Sequence, residues 1–500
     1  MLIRPRFIDF KIILYYLSRA MTGFALLMFV PLIIALLYSE TNPAIDYCIG
    51  IIITLIVGIT IQTLFHTKED LNFMHSMVLV SLLWIFAMFF SAIPLYLSGH
   101  MGSFLDACFE TMSGLTTTGL SLSQDLDHMS RAHNFWRHFL IFIGGQGIIV
   151  VAISILIKST SGAVRLYIGE ARDERLMPNV IHTARSIWLI SLFYLILCSS
   201  ILSGVLVLEG FDIKSAIFNG ICLFMATFDT GGFGLMSQNI LFYHSPLLEI
   251  TSLVCMLLGA MNFHLHYKIM TGDRKEIYKN IEIRTFFLSI LILSILVLIS
   301  VQIAGEFNTV FSVFRKGFFQ IISAHTGCGL QTIPASEFKN GIGYAGCFAI
   351  IIAMGLGGAV NSTAGGIKSL RIGILSKAII REMRKMVLPE RTVIIQKFHH
   401  IKDMVLQSEY VKAAALMTIS YIVLILIGSL AGMFLGYGFV ESIFESASAS
   451  GNVGLTIGVT QPSMHWFLKI VYIVQMLAGR LEFLSIFSLI GFFMSIWRGK

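Results

Sequence analysis

Four segments of this chain align on one another without gaps, and each closes on a glycine followed by leucine or phenylalanine: Phe104–Leu120, Ile217–Phe233, Phe314–Leu330 and Phe439–Leu455. Setting their last glycines in register stacks Gly119, Gly232, Gly329 and Gly454. Fifteen positions earlier stand Phe104, Ile217, Phe314 and Phe439, and six positions earlier the small residues Ser113, Ala226, Ser323 and Ser448. A unit repeated four times constrains the fold more than any single motif. Each unit reads as a short amphipathic helix running into a polar, glycine-bearing turn, with a long apolar segment on either side. Four such hairpins around one axis would put four backbone loops at membrane depth. That is the arrangement in which carbonyl oxygens replace the hydration shell of an ion.

Composition supports a membrane setting. With 56% hydrophobic and only 13% charged residues, and a mean hydropathy of +0.82, the chain cannot be a string of soluble domains. A bilayer-crossing helix needs about 20 apolar residues. Ten stretches qualify, near 12–38, 45–65, 75–98, 135–157, 185–208, 245–270, 285–304, 341–380 (interrupted), 408–436 and 465–497. The expected fold is an all-α polytopic membrane protein. Residues 1–70 form an N-terminal pair of transmembrane helices. Four pore repeats follow at 71–180, 181–280, 281–402 and 403–500, the third carrying an intramembrane loop.

Charge sets the expected orientation. Lys158, Arg165, Arg172, Arg175 and Arg185 fall in one inter-span loop, and Lys268, Arg274, Lys275, Lys279 and Arg284 in another. A third carries Lys377, Arg381, Arg384, Lys385, Arg391, Lys397 and Lys402, while alternate loops carry Glu40, Asp46, Asp125, Asp127, Glu209, Asp212, Glu306 and Glu441. The positive-inside rule then places both termini in the cytoplasm and the four hairpins on the outer side of a cytoplasmic (inner) membrane. These positions are the ones topology requires, so they give no reason to expect nucleic acid as a partner. No cleavable leader is expected, because the first apolar stretch is too long for one. The seven cysteines are odd in number, unpatterned and mostly inside apolar runs, so no disulfide framework is expected.

The turns are the candidate ion site. They read Thr116, Thr117, Thr118, Gly119; Asp229, Thr230, Gly231, Gly232; Thr326, Gly327, Cys328, Gly329; and Gly451, Asn452, Val453, Gly454. Glycine tolerates the left-handed backbone that aims consecutive carbonyls at an axis, and threonine hydroxyls offer further oxygens. Unpaired backbone at this depth survives only where it lines a water- or ion-filled cavity. The partly negative C-terminal ends of the half-helices favour a cation there, and Asp229 and the outer acids add the same sign. Asp229 and His325 are the exceptions to the small or uncharged residues expected at or beside these positions.

The eighth span carries glycines at 355, 357, 358, 365 and 366, each costing about 1 kcal/mol relative to alanine in a helix. A continuous helix is therefore not expected, and the polar Asn361, Ser362 and Thr363 must face a cavity, which in this topology is the pore just inside the turns. Arg480 is the only basic residue between Ile470 and Trp497. An intramembrane arginine is costly unless paired. Glu482, two residues on, faces elsewhere on a helix, so carbonyls of the glycine-rich loop are the better partners.

Other motifs lead nowhere. Gly341-to-Gly346 fits GxGxxG but follows no strand, the Asn361 sequon lies in the membrane, and His264 and His266 point apart at i,i+2. A serine protease built on Ser113 and Gly114 has no base nearby, so no enzyme is expected. The rival reading is a secondary symporter with a midplane substrate site in its broken helix, which predicts a twofold repeat.

Leu115–Gly119, Ile143–Val150, Asn361–Lys368, Ser450–Thr456 and Gly479–Glu482 together make the chain resemble the membrane subunits of the Trk/Ktr/HKT superfamily of potassium transporters over essentially its whole length, two extra N-terminal helices included. The resemblance implies four K⁺-channel-like units forming a pseudo-fourfold pore for potassium uptake, with the glycine in every repeat selecting K⁺ over Na⁺. K⁺ is then the bound metal ion, and no organic cofactor is implied. It also implies an intramembrane gating loop containing Gly357, Gly358, Asn361, Ser362, Thr363, Gly365, Gly366 and Lys368, with Arg480 beside it. A homodimer in membrane lipid and a cytoplasmic nucleotide-binding regulatory ring of the TrkA type are implied as well.

Overall fold

The computed structural model describes residues 5–147, 180–307, 309–389, 392 and 394–498. The second half of the expected span at 135–157, the basic residues Lys158, Arg165, Arg172 and Arg175, and Arg391 lie outside them.

Among the described residues, seven helices are long and apolar enough to cross a membrane, or nine if each of two bent pairs counts as one span. Phe7–Leu37 and Thr41–Leu64 are the N-terminal pair. Each of four units then has an outer helix, a half-helix and an inner helix. The outer helices are Phe73–Leu97, Val180–Leu208, Ile281–Ala304 and Ser408–Phe434. The half-helices are Phe104–Leu115, Ile213–Phe228, Val310–Thr326 and Phe439–Gly451. The inner helices begin at Arg131, Pro246, Ala335 and Trp466.

The half-helices run 12 to 17 residues. At 1.5 Å per residue they reach about 18–26 Å, short of the roughly 30 Å bilayer core. Three of them start on side-chain caps: Ser103 accepts from the Asp106 amide, Asp212 from Lys214 and Thr309 from Ser312. Such caps satisfy amides that have no partner within the helix.

Every inner helix stops at nearly the same register, at Gln146, Gly259, Gly355 and Arg480, 26 or 27 positions after the aligned glycine of its own repeat. Two of these stops correct the expectation of continuous spans. Pro246–Gly259 meets Phe263–Met270 at 97°, and Trp466–Arg480 meets Leu484–Trp497 at 116°. At the first bend Asn262 accepts from the His264 amide and starts a new helix. At the second, Glu482 and Phe483 take left-handed φ of 48° and 66°. His266 braces the first bend, bonding Leu258 O at 2.9 Å and the Tyr194 hydroxyl at 2.9 Å. The eighth span is interrupted as expected: helix to Gly355, irregular chain, then helix Ser369–Val387.

Ion pairs join successive repeats, each from the start of one inner helix to the next half-helix. Glu249 takes two bonds of 2.6 Å from Arg315, Lys339 reaches Glu441 at 2.7 Å, and Lys469 reaches Asp106 at 2.5 Å, closing the fourth repeat onto the first. Beyond the Ser369–Val387 helix, β1 (Lys397–His400) and β2 (Lys402–Val405) form a small antiparallel hairpin. All seven cysteines are free.

Candidate functional site: a four-loop ring over an intramembrane loop

The four aligned glycines close a circle. A Cβ built on Gly119 would lie 2.3 Å from Gly231 O, one on Gly232 1.8 Å from Cys328 O, one on Gly329 1.9 Å from Val453 O, and one on Gly454 2.2 Å from Thr118 O. Each repeat thus packs its glycine against the carbonyl that precedes the glycine of the next, and the fourth returns to the first. The ring glycines have φ of 87°, 58°, 82° and 96°, and two positions earlier Thr117, Thr230, Gly327 and Asn452 have 53°, 51°, 76° and 53°. Left-handed threonine is rare and is held only where surrounding structure fixes it.

The fixing contacts repeat too. The small residue six positions before each glycine accepts an amide from the turn: Thr118 N to Ser113 O at 2.8 Å, Gly231 N to Ala226 O, Cys328 N to Ser323 O and Val453 N to Ser448 O, each at 3.0 Å. The amides are tied back to the half-helices. The carbonyls of Thr118, Gly231, Cys328 and Val453 accept no hydrogen bond among the described residues. Buried carbonyls without protein partners are free to coordinate a cation.

Side chains of the turns mostly serve as struts. The Thr116 and Thr326 hydroxyls donate to Met112 O and Ile322 O, each at 2.7 Å, and Asn452 Nδ2 bonds Thr118 Oγ1 at 3.0 Å and Met476 O at 2.8 Å. The Cys328 thiol donates to Ala226 O at 3.3 Å, and Val453 is buried among apolar neighbours. The Asp229 carboxylate accepts from Gln146 Nε2 at 2.8 Å, and Gln146 is itself held by Ser191 at 2.7 Å. His325 bonds Ser289 at 2.7 Å and stacks edge-on against Phe286. Both residues thus turn toward neighbouring helices.

Three struts were not foreseen from the sequence. Nine positions before the ring glycines stand Glu110, Leu223, Gln320 and Glu445. Glu445 accepts from Ile457 N at 3.0 Å, Val459 N at 3.2 Å, Thr460 Oγ1 at 2.7 Å and also Thr456 Oγ1. Glu110 accepts from Leu122 N at 2.8 Å, Ser121 at 2.9 Å and Arg137 at 2.8 Å, and Gln320 donates to Thr332 at 2.9 Å. Each braces the segment leaving the ring. Leu223 has no such reach. In that repeat Arg137 and His138, from the first inner helix, bond Gly234 O and Phe233 O at 3.2 and 3.1 Å. Register within the aligned units was the available signal. We predict that Glu445→Leu, which leaves two amides and two hydroxyls unpaired, costs about 3 kcal/mol or more and that Glu445→Gln costs less. Thermal unfolding in detergent checks this, and equal midpoints for both variants would remove the bracing role.

Outside the ring lies a cavity of about 540 Å³, lined by Gly119, Gly454, Ser121, Asn239, Gln331 and Thr456 among others. Its described lining contains no carboxylate, but Asp127, one of the outer acids, accepts the amide of the lining residue Ser237 at 2.9 Å. Glu110 and Glu445 lie just behind it, engaged as braces.

Inside the ring lies the irregular chain between Gly355 and Ser369, and it touches all four turns. Thr117 Oγ1 donates to Thr363 O at 3.4 Å, and Thr230 Oγ1 to Thr363 Oγ1 at 3.2 Å. A Cβ on Gly327 would sit 3.6 Å from Gly365 N, and one on Gly365 2.7 Å from Asn452 Cβ. The loop also caps the broken second inner helix: Ala359 N bonds Ala260 O at 2.8 Å, Phe263 N bonds Asn361 O at 3.2 Å, and Thr363 Oγ1 bonds Gly259 O at 2.9 Å. It folds on itself through Gly357 N to Ile367 O at 2.9 Å and Ser362 Oγ to Ala359 O at 2.6 Å. Only glycine fits where it crosses, since a Cβ on Gly357 would lie 1.8 Å from Gly365 O, and Gly366 has φ 71°. A Cβ on Gly358 would lie 2.8 Å from Ala260 O.

Arg480 ends its helix against this loop. It donates to Thr363 O at 2.5 Å, one of the loop carbonyls expected as its partners, and also to Gly144 O and, at 3.3 Å, Gly145 O. Those last two oxygens belong to the end of the first inner helix, where a cation is favoured. Lys368 bonds Ala364 O at 2.5 Å and pairs with Glu482 at 3.7 Å, and Arg371 pairs with Glu482 as well.

Four half-helices whose turns close one ring, set among helices able to cross a bilayer, define an integral membrane protein. The model of the TrkH family, described as cation transport protein, matches residues 45–493, and the chain belongs to that family. It is 31% identical to an uncharacterized cation transporter of Methanocaldococcus jannaschii, over 96% of this chain and 95% of that one. It is 29% identical to the Trk system potassium uptake protein TrkG of Escherichia coli, over 95% and 96%. The crystal structure of the potassium transporter TrkH from Vibrio parahaemolyticus superposes with a TM-score of 0.81 at 24% identity, covering 96% of this chain and 98% of that one. That likeness shows the fold.

Proposed function

We propose that this protein takes up potassium across the cytoplasmic membrane, acting as a transporter and not as an enzyme. The ring carries the reading: four carbonyls, one from each repeat and each set against the aligned glycine of a neighbouring repeat, accept no hydrogen bond among the described residues, which suits a dehydrated monovalent cation. K⁺ would be held at 116–119, 229–232, 326–329 and 451–454, chiefly by backbone oxygens. The loop from Gly357 to Lys368 lies across the path just inside the ring and acts as the gate, with Arg480 holding it in place. The fourfold ring supports this over a symporter with a twofold repeat.

The proposed orientation has both termini in the cytoplasm and the ring's mouth outside, and the repeats divide near residues 71, 181, 281 and 403. The relatives named as Trk system proteins and the basic stretch at 381–402 support a homodimer that docks a cytoplasmic nucleotide-binding subunit of the TrkA type. Flux of ⁸⁶Rb⁺ into proteoliposomes, with and without a membrane potential or proton gradient, tests the transport reading. Uptake that follows the K⁺ gradient and is competed by K⁺ but weakly by Na⁺ supports it, and uptake indifferent to K⁺ overturns it. Purification from native membranes in several nucleotide states tests the partner; this chain emerging alone in every state argues against one.

A further inference from the structure

The loop is held from the cytoplasmic side by a buried carboxylate outside the ring. Glu282, in the first turn of the third outer helix, accepts the Val360 amide at 2.6 Å, and its other oxygen lies 3.5 Å from Asn262 Nδ2 at the bend of the second inner helix. Glu282 is 1% exposed. The polar contacts continue outward. The Glu282 amide donates to Asn280 Oδ1 at 3.0 Å, and Asn280 Nδ2 donates to Glu276 Oε1 at 2.9 Å. Glu276 also accepts the Ile401 amide at 3.0 Å and faces His399 Nε2 at 3.1 Å, while His400 Nδ1 lies 3.1 Å from Asn280 Oδ1. His399, His400 and Ile401 form the tip of the β1–β2 hairpin. Phe398 of the same hairpin packs with Ile374 and Ala378 of the helix that leaves the loop. The hairpin thus grips both the support beneath the loop and the loop's outgoing arm.

We propose that Glu282 is a positioning residue for the intramembrane loop, and that the chain His399–Glu276–Asn280–Glu282 passes the placement of the cytoplasmic hairpin to it. The inference rests on the reading of that loop as a gate. A buried carboxylate that accepts a loop amide fixes the backbone where Val360 turns beneath the ring. Losing the acceptor leaves that amide unpaired and frees the loop to leave its closed position.

Proteoliposomes with the full chain test this through basal ⁸⁶Rb⁺ flux and amide exchange at residues 357–363. Glu282→Leu should raise flux by about 2- to 30-fold, the range for residues that couple two sites, and speed exchange at Val360. Glu282→Gln, whose amide oxygen still accepts from Val360, should restore most of the wild-type behaviour. Asn280→Ala, further from the membrane, should act in the same direction and add little when combined with Glu282→Leu. Unchanged flux and exchange in folded Glu282→Leu overturns the proposal, and so does full additivity of the two variants. If Glu282→Leu does not fold, Asn280→Ala decides, and unchanged flux there counts against the chain. Arg480→Ala is the control for the gate: if it raises flux while Glu282→Leu does not, this inference alone falls, and if neither does, both fall.

Discussion

Under the proposed filter assignment, serine at any of the four ring glycines should lower selectivity for K⁺ over Na⁺, with the largest loss at Gly232 and Gly329. Two independent costs act there. A side chain at positive φ costs about 1–2 kcal/mol, and the added Cβ must displace the facing carbonyl of the next repeat. The built positions lie 1.8 and 1.9 Å from Cys328 O and Val453 O, against 2.3 and 2.2 Å for Gly119 and Gly454. Displacing one carbonyl distorts the oxygen cage from which selectivity between two cations of the same charge must arise. A change of about 1.4 kcal/mol in relative affinity is tenfold, so a loss of that order in the K⁺/Na⁺ flux ratio is expected at Gly232→Ser and Gly329→Ser. The check is competition of ⁸⁶Rb⁺ uptake by K⁺ and by Na⁺ for all four variants. Four wild-type ratios would refute the filter assignment.

The ring was readable in the sequence because its demands are local. A turn needing left-handed backbone in four copies leaves glycine at one position and a small residue six before it, whatever surrounds them. The interrupted eighth span was readable for the same reason, since five glycines cannot make a stable helix. The bends at 260–262 and 481–483 were hidden, because the apolar character runs straight through both and apolar composition does not distinguish a straight helix from a broken one. Asn262, a capping residue type, and Glu482, a carboxylate in an apolar stretch, were the only local signs. Glu482 was set aside as a partner of Arg480 on the assumption of a continuous helix. The structure gives it Lys368 and Arg371, from a segment more than a hundred residues away. Glu110, Glu445 and Glu282 have meaning only through the amides that face them, and no sequence spacing encodes those meetings. The seating of Arg480 was half legible. A loop carbonyl was expected, but the bonds to Gly144 O and Gly145 O join residues more than three hundred positions apart, and no local pattern in the sequence encodes that meeting.

In the proposed gating scheme Arg480 is the latch. Its guanidinium bridges the loop at Thr363 and the first inner helix at Gly144 and Gly145, so it joins elements of the first, third and fourth repeats beneath the ring. Hydrogen bonds from a charged donor contribute about 1.5–3 kcal/mol each. Arg480→Ala should therefore shift the loop away from its closed position by one to two orders of magnitude and raise K⁺ flux accordingly. Arg480→Lys, with a charge but no fork to reach both carbonyl groups, should fall between. Deleting Asn361-to-Ala364 removes the loop's contacts with Thr117, Thr230 and Phe263 and should raise flux at least as much. Ion preference should be retained in Arg480→Ala, because Thr118, Gly231, Cys328 and Val453 hold their carbonyls through half-helix contacts that the substitution leaves alone. Reduced flux in a normally folded Arg480→Ala protein would make the loop part of the conduction path and not its gate. A changed K⁺/Na⁺ ratio would mean that the hydroxyls of Thr117 and Thr230, which rest on Thr363, transmit loop position into the ring, so that filter and gate act as one device.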